Sequence, residues 1–292
     1  LPLDPGDLPG SGTTGPAASG GEVGRADPRP VELGIVGDVR DALERLVERL
    51  SPRTLPSVAD DLARYRALDE QQLLEQAGPL LDRKGPGIHP ALALGVVGAV
   101  FGSDAFYTVD GGSTALWAYA VLPPTQPSSY HSILELGMLG TGIPSAIGSK
   151  LGAPERDVVC VTGDGAAGFN IMEMQTAARE RLAITTVVMA EGSWTLEEVN
   201  ELDLYGQTFG TDQGDIRWDI VAQGLGCHGE FVERMEDLEP ALRRAKDHAR
   251  PSLVCVRSDH EANLSIPTAI TSRFFEVYSG PNEPADETTT PL

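Results

Sequence analysis

The 292-residue sequence predicts an α/β protein built on a doubly wound, mostly parallel sheet flanked by helices. Three observations predict it. Strand-length apolar runs are continuous rather than alternating, as in residues 158–162 (VVCVT), 184–189 (ITTVVM) and 252–256 (SLVCV), so both faces of each strand are to be buried. Segments with helical apolar spacing separate these runs. Glycine together with an acid recurs where successive strands end, at Asp110-Gly111-Gly112-Ser113-Thr114, Gly163-Asp164-Gly165-Ala166-Ala167-Gly168 and Ala190-Glu191-Gly192-Ser193.

Taken in order, residues 1–30 hold seven Gly and six Pro without apolar periodicity, which reads as a tail or linker. Residues 31–36 form a β-like run, Gly37 and Asp38 a turn and helix start. Residues 39–50 carry helical spacing through Val39, Leu43, Leu46, Val47 and Leu50. The 31–50 stretch is thus one strand-helix unit, expected to be the last of a domain whose earlier part is missing. The chain also starts at Leu1 rather than Met, as a fragment would. Residues 51–85 read as polar amphipathic helices. The regular alternation then predicts helices at 89–100, from 114, and at 142–151, 169–181, near 195, near 220 and at 238–248. Its strands fall at 106–109, 158–162, 184–189, 229–232 and 252–256. One α/β domain over 51–262 and an irregular acidic tail over 263–292 complete the division. There is no internal repeat.

Composition narrows the function classes. Lys and Arg number 22 against 43 Asp and Glu, a net charge of −21, which disfavours nucleic acid and anionic membrane as partners. The longest apolar stretches, such as 91–101, are too short to cross a bilayer. Cys160, Cys227 and Cys255 are too widely spaced for a disulfide framework or a metal quartet, and read as small buried hydrophobes. With no secretory signal evident, the expected location is the cytoplasm.

Ligands of a doubly wound sheet bind at the carboxyl ends of its strands. Small residues there let backbone approach closely, and following helices present free N–H groups to an anion, so a phosphorylated ligand is expected. Residues 163–168 match G-x-G-x-x-G, the dinucleotide fingerprint, with Glu191 as a ribose-binding acid. That reading leaves the Asp164 carboxylate beside a pyrophosphate with no cation between them, a repulsion of several kcal/mol at low dielectric. In a second reading Asp164 and Glu191 hold Mg²⁺, and Mg²⁺ holds a diphosphate. A purely structural loop is the third.

From about residue 86 to 259 the chain resembles the cofactor-diphosphate domain of thiamine-diphosphate enzymes of the acetolactate synthase, pyruvate decarboxylase and 2-hydroxyacyl-CoA lyase superfamily. The resemblance rests on Gly163-Asp164-Gly165, on Glu191 standing 27 residues after Asp164 where the family has a metal-binding Asn, and on the Leu136-Gly137-Met138-Leu139-Gly140-Thr141-Gly142-Ile143-Pro144-Ser145-Ala146-Ile147-Gly148 segment. It implies Asp164, Glu191 and the backbone carbonyl of Ser193 as metal ligands. It implies Gly112, Ser113, Thr114, Gly165 and Ala166 as diphosphate contacts. Leu139 takes the place of the aliphatic wedge that bends the cofactor, and the Gly137 carbonyl that of the acceptor for its 4′-amino group. Glu191 departs from the usual Asn and adds negative charge beside the diphosphate. Glu197, 33 residues after Asp164, falls where decarboxylase-like members carry a glutamate for proton transfer. It fits equally a capping box over 195–198. Leu139 alone fits an ordinary core leucine. His131 is a weaker candidate, while His89, His228, His248 and His260 stay unassigned. Gly148-Ser149-Lys150 lacks the order of a phosphate loop.

The implied cofactors are thiamine diphosphate and Mg²⁺; the cofactor carries the hard chemistry, cleaving or forming C–C bonds. The implied substrate is a 2-oxo acid or a 2-hydroxyacyl thioester. In such enzymes the activating glutamate comes from a pyrimidine-binding domain or subunit across an interface, so a homo- or hetero-oligomer is expected and this chain is half a site. A non-catalytic cofactor-binding or scaffold subunit is the alternative from another class, and an NAD-binding Rossmann protein a third.

Overall fold

The computed structural model describes residues 36–51, 60–65, 67, 68, 71, 85–122, 126–133 and 137–264. The chain divides into two compact units, residues 1–64 and 65–292. The expected tail at 1–30 and most of 51–84 lie outside the described residues, as do the expected tail at 263–292 save for Asn263 and Leu264, which are helical, and the expected strand at 31–36 save for Val36.

In the first unit, α1 (Val39–Arg49) follows its cap. The Asp38 carboxylate accepts from the backbone N–H groups of Arg40 at 2.8 Å and Asp41 at 3.2 Å, satisfying donors that have no partner inside the helix. None of its residues is buried.

The second unit holds six parallel strands in the order β2-β1-β3-β4-β6-β5. In chain order its elements are α2 (Pro90–Phe101), β1 (Phe106–Asp110), α3 (Gly112–Val121), β2 (Tyr130–Ser132), α4 (Gly142–Gly152), β3 (Val158–Gly163), α5 (Asp164–Asn170), α6 (Glu173–Glu180), β4 (Thr185–Ala190), α7 (Thr195–Tyr205), α8 (Trp218–Gly224), β5 (His228–Val232), α9 (Met235–Asp247), β6 (Ser252–Arg257) and α10 (His260–Leu264). The period of two sorts the apolar runs between two cores. Val159, Val161, Val187, Met189, Val254 and Val256 pack with Leu94 and Val97 of α2, Trp117 of α3 and Leu238 and Leu242 of α9. Val158, Cys160, Val188, Leu253 and Cys255 pack on the other face with Ile143 of α4, Met174 of α6 and Trp218 of α8. Each such side chain taken fully from water contributes about 1.5–3 kcal/mol, so two-sided burial rather than local propensity fixes these strands. This is the doubly wound architecture expected.

Three local expectations are corrected, and two elements are added. The helix expected from Thr114 begins at Gly112, so Gly112, Ser113 and Thr114 form its first turn. The glycine segment 163–168 is not a loop: α5 starts at Asp164, and the helix expected over 169–181 is broken at Ile171-Met172 into α5 and α6. The short edge strand β2 and the terminal helix α10 were not anticipated. Three and five residues long, they carry too few periods to register as patterns.

β1 connects outward to β2, and the chain then returns across β1 to β3. The order therefore reverses between β1 and β3. Their carboxyl ends, Asp110-Gly111-Gly112 and Gly163-Asp164-Gly165, flank the crevice where such sheets bind ligands.

Candidate functional site

A cavity of about 240 Å³ opens at this reversal. Its wall includes Gly112, Ser113, Thr114, Gly137, Leu139, Asp164, Gly165, Ala166, Glu191, Ser193 and Glu197, so the residues that the resemblance implies for cofactor and metal, with Glu197, reach one space.

The end of β1 fixes one side. Asp110 is buried, and its carboxylate accepts from the N–H of Gly140 at 3.2 Å and of Gly142 at 2.7 Å. Burial pushes its carboxyl up from the ordinary aspartate range, and the two N–H bonds draw it back. These bonds fasten the 139–142 segment, and with it Leu139, beside β1. Asn170 Nδ2 adds a bond to the Gly140 carbonyl at 2.8 Å. Packing is tight enough to demand glycine. At Gly111, with φ +76°, a Cβ would lie 2.5 Å from the Ala166 Cβ and 3.3 Å from Leu139 Cδ2. Gly137, by contrast, is exposed with nothing near its missing Cβ, and Leu136 lies outside the described residues.

Asp164, at the first position of α5, is buried and ties β3 to β4. Its Oδ1 accepts from Gly165 N at 2.8 Å, and its Oδ2 from Glu191 N at 2.9 Å and Gly192 N at 2.6 Å. Burial pushes this carboxyl up, opposed by those N–H bonds. The Asp164 carboxylate thus stands in the cavity wall itself, where the pyrophosphate of a dinucleotide would meet it with no cation between them. Ser193 pairs with Asp212 in an isolated antiparallel bridge whose bonds run Trp194 N to Thr211 O and Gln213 N to Gly192 O. That pattern leaves the Ser193 carbonyl outside the pairing.

Glu191 follows β4, with its side chain only 5 % exposed. Its Oε1 accepts from Thr195 Oγ1 at 2.5 Å and from Asn263 Nδ2 of α10. Its Oε2 is buried with no hydrogen-bond donor, and His260 Nδ1 stands 3.5 Å away at ion-pair distance. Burial pushes the Glu191 carboxyl up; His260 and Thr195 oppose this, the charge of Asp164 reinforces it, and Asn263 opposes it slightly. His260 also faces Glu198, Nε2 to Oε1 at 3.3 Å, while Ser193 Oγ donates to Glu198 Oε2 at 2.5 Å. The expected capping box is therefore absent. The Thr195 hydroxyl is committed to Glu191, and Trp194 holds the cap position without a side-chain bond. Glu197 is exposed at the wall of the cavity, where desolvation still pushes its carboxyl up, with the charge of Glu201 adding to it.

Asn263 and His260 are the site residues that sequence reasoning missed. Their signal was positional: they follow the end of β6, the strand beside β4. His131, on edge strand β2, is exposed and does not line the cavity.

Glycines where strands end, a buried acid at the switch point and a concave wall are features of an α/β domain that can take a phosphorylated ligand. The family described as thiamine pyrophosphate enzyme, C-terminal TPP binding domain, matches residues 110–256. The chain belongs to the thiamine pyrophosphate enzymes and carries their C-terminal TPP-binding domain. A probable acetolactate synthase of Mycobacterium bovis is 31 % identical over 250 residues, 82 % of this chain and 43 % of its own. The catabolic acetolactate synthase of Raoultella terrigena is 30 % identical over 80 % of this chain and 41 % of its own. A sulfoacetaldehyde acetyltransferase of Alcaligenes xylosoxydans is 28 % identical over 75 % and 40 %. Among solved structures, the thiamine diphosphate-dependent 4-hydroxybenzoylformate decarboxylase of Rhodococcus jostii RHA1 matches with a TM-score of 0.58 and 29 % identity, over 61 % of this chain and 34 % of that one. The chain spans about two fifths of the length of these curated relatives.

Proposed function

We propose that this chain binds Mg²⁺ and thiamine diphosphate as the C-terminal half, or a split subunit, of an enzyme that cleaves or forms C–C bonds of 2-oxo acids or 2-hydroxyacyl thioesters. The observation that carries it is the meeting of two buried carboxylates, Asp164 and Glu191, in one glycine-lined cavity, with Glu191 Oε2 lacking any donor. Like charges held together away from water favour a cation between them. Among the described residues no three His, Cys, Asp or Glu side chains group to hold a metal. That suits Mg²⁺, which takes one or two carboxylates and completes its shell with phosphate and water oxygens.

In this reading Asp164, Glu191 Oε2 and the Ser193 carbonyl hold the cation. Gly112, Ser113, Thr114, Gly165 and Ala166 receive the diphosphate, the tight glycine contact at 111 keeping their backbone close. Leu139, fastened through Asp110, would orient the cofactor, and the Gly137 carbonyl would be the acceptor for its 4′-amino group. When bound, the cofactor supplies a nucleophilic carbon and an electron sink. Glu197, at the cavity wall, would hold a proton for transfer, a role suited to a carboxyl pushed up by desolvation. The activating glutamate is assigned to a pyrimidine-binding domain or subunit in an oligomer, which the chain's share of its relatives' length supports. Three free, buried cysteines favour a reducing, cytoplasmic setting.

Thermal unfolding of the chain with Mg²⁺ and thiamine diphosphate tests the reading. Tm is expected to rise only when both are present, through binding to the folded state. No rise even with a pyrimidine-binding half supplied would leave a scaffold subunit, and a rise with NAD alone would restore the dinucleotide reading.

A further inference from the structure

The residue standing where the family carries a neutral amide is here a carboxylate, and the chain has built a particular surrounding for it. Oε1 of Glu191 takes two donors, Thr195 Oγ1 from α7 and Asn263 Nδ2 from α10, while Oε2 takes no hydrogen bond and has only His260 Nδ1 facing it at 3.5 Å. Asn263 is itself immobilised. It is 2 % exposed, its Nδ2 also donates to Ser113 Oγ at 2.9 Å, and its Oδ1 accepts from Trp117 Nε1 at 2.8 Å. Ser113 and Trp117 belong to α3, whose first turn lines the cavity. One asparagine thus joins the glutamate to the wall assigned to the diphosphate.

We propose that Asn263 and Thr195 are positioning residues that clamp one oxygen of Glu191 and leave the other as a single cation ligand. The assignment rests on the Mg²⁺–thiamine diphosphate reading above and deepens it. A glutamate side chain is one methylene longer than asparagine and free to chelate through both oxygens or to swing away. Two donors on Oε1 remove that freedom, so Glu191 offers one oxygen from a fixed position, as an amide would. His260, at ion-pair distance from both Glu191 and Glu198, stands where a positive charge offsets the extra negative one. Partners of this kind, which orient a ligand without touching the metal, commonly govern metal affinity by 10–100-fold.

The test measures Mn²⁺ affinity of the full chain by electron paramagnetic resonance at saturating thiamine diphosphate, so no turnover is needed. Thr195→Val keeps shape and removes the hydroxyl; Asn263→Leu removes the second donor. Each is expected to weaken Mn²⁺ binding by about tenfold in the parent and by less than about twofold in a Glu191→Asn background, where the shorter side chain no longer reaches the clamp. Circular dichroism checks folding, and should Asn263→Leu unfold, Thr195→Val decides alone. Equal losses in both backgrounds, or none in the parent, would overturn the clamp while leaving the cofactor reading intact. Absence of saturable Mn²⁺ binding by the unaltered chain would overturn both.

Discussion

At Asp164 the fold and the proposed cation call on the same carboxylate to compatible ends, whereas at Glu191 burial of the proposed ligand works against stability. The Asp164 carboxylate accepts three backbone N–H bonds that join the ends of β3 and β4. Asp164→Ala leaves those buried donors without an acceptor, which costs about 1–3 kcal/mol. The variant is therefore expected to unfold at a lower temperature by itself and to lose any rise with Mg²⁺ and thiamine diphosphate; a retained rise would remove Asp164 from the site. Glu191 behaves in the opposite way. Its carboxyl lies above the ordinary glutamate value of 4.5, chiefly through burial, so the folded state binds more protons than the unfolded one. Its contribution to stability is full below that value and is lost as pH rises through the raised one. His260, raised mainly by its contact with Glu191, adds to the same trend. Glu191→Gln keeps the acceptor facing Thr195 and Asn263 while removing the charge. In the absence of metal it is expected to raise Tm at about pH 8 by roughly 2–4 °C, as about 1 kcal/mol does in a domain of this size, with the gain shrinking toward about pH 5. A gain that grows on acidification would contradict the sign argued here.

The elements that carry the site are placed by close backbone approaches, and Gly140 is the sharpest case. It has φ +87°, and a Cβ there would lie 2.5 Å from the Phe169 Cβ. Gly140→Ala has to adopt a left-handed backbone and separate the 139–142 segment from α5, so a loss of about 2 kcal/mol or more is expected in chemical denaturation. Stability within about 0.5 kcal/mol of the parent would mean that the segment tolerates displacement. This geometry also shows what was legible in the sequence. The runs VVCVT, ITTVVM and SLVCV announced the central strands, because burial on both faces leaves no alternation to misread. The glycine-acid clusters announced the wall of the cavity for the same kind of reason: each stands immediately after a strand. Its finer structure was not legible. Whether Asp164 opens a helix or lies in a loop depends on N–H groups of Glu191 and Gly192, which are 27 and 28 residues away. Thr195 looked like a cap since its neighbours fit a capping box, yet a tertiary partner took its hydroxyl. Asn263 offers no sign beyond its place after β6, its three side-chain partners lying 72, 146 and 150 residues distant.

At the scale of the whole molecule, the cavity is one wall of a site whose other wall the proposed function assigns to a pyrimidine-binding half. The rim beside it is apolar and open: Phe169 is 60 % exposed and packs edge-on against Trp194 with ring centres 6.0 Å apart, and Met138 is 49 % exposed. Trp194 and Met138 both line the cavity, so the open rings continue the binding wall rather than decorating a remote surface. A chain with net charge −21 gains solubility from its charge, and an uncharged aromatic rim is then the place where association can bury apolar area without bringing acids together. Phe169→Asp tests this directly. The side chain is largely exposed, so the isolated chain is expected to keep its stability to within about 1 kcal/mol. Association with a supplied pyrimidine-binding half, followed by sedimentation, is expected to weaken by about tenfold or more, as loss of a central aromatic contact does. Unchanged association with an unchanged fold would move the interface away from this rim and leave the cavity to be closed from another direction.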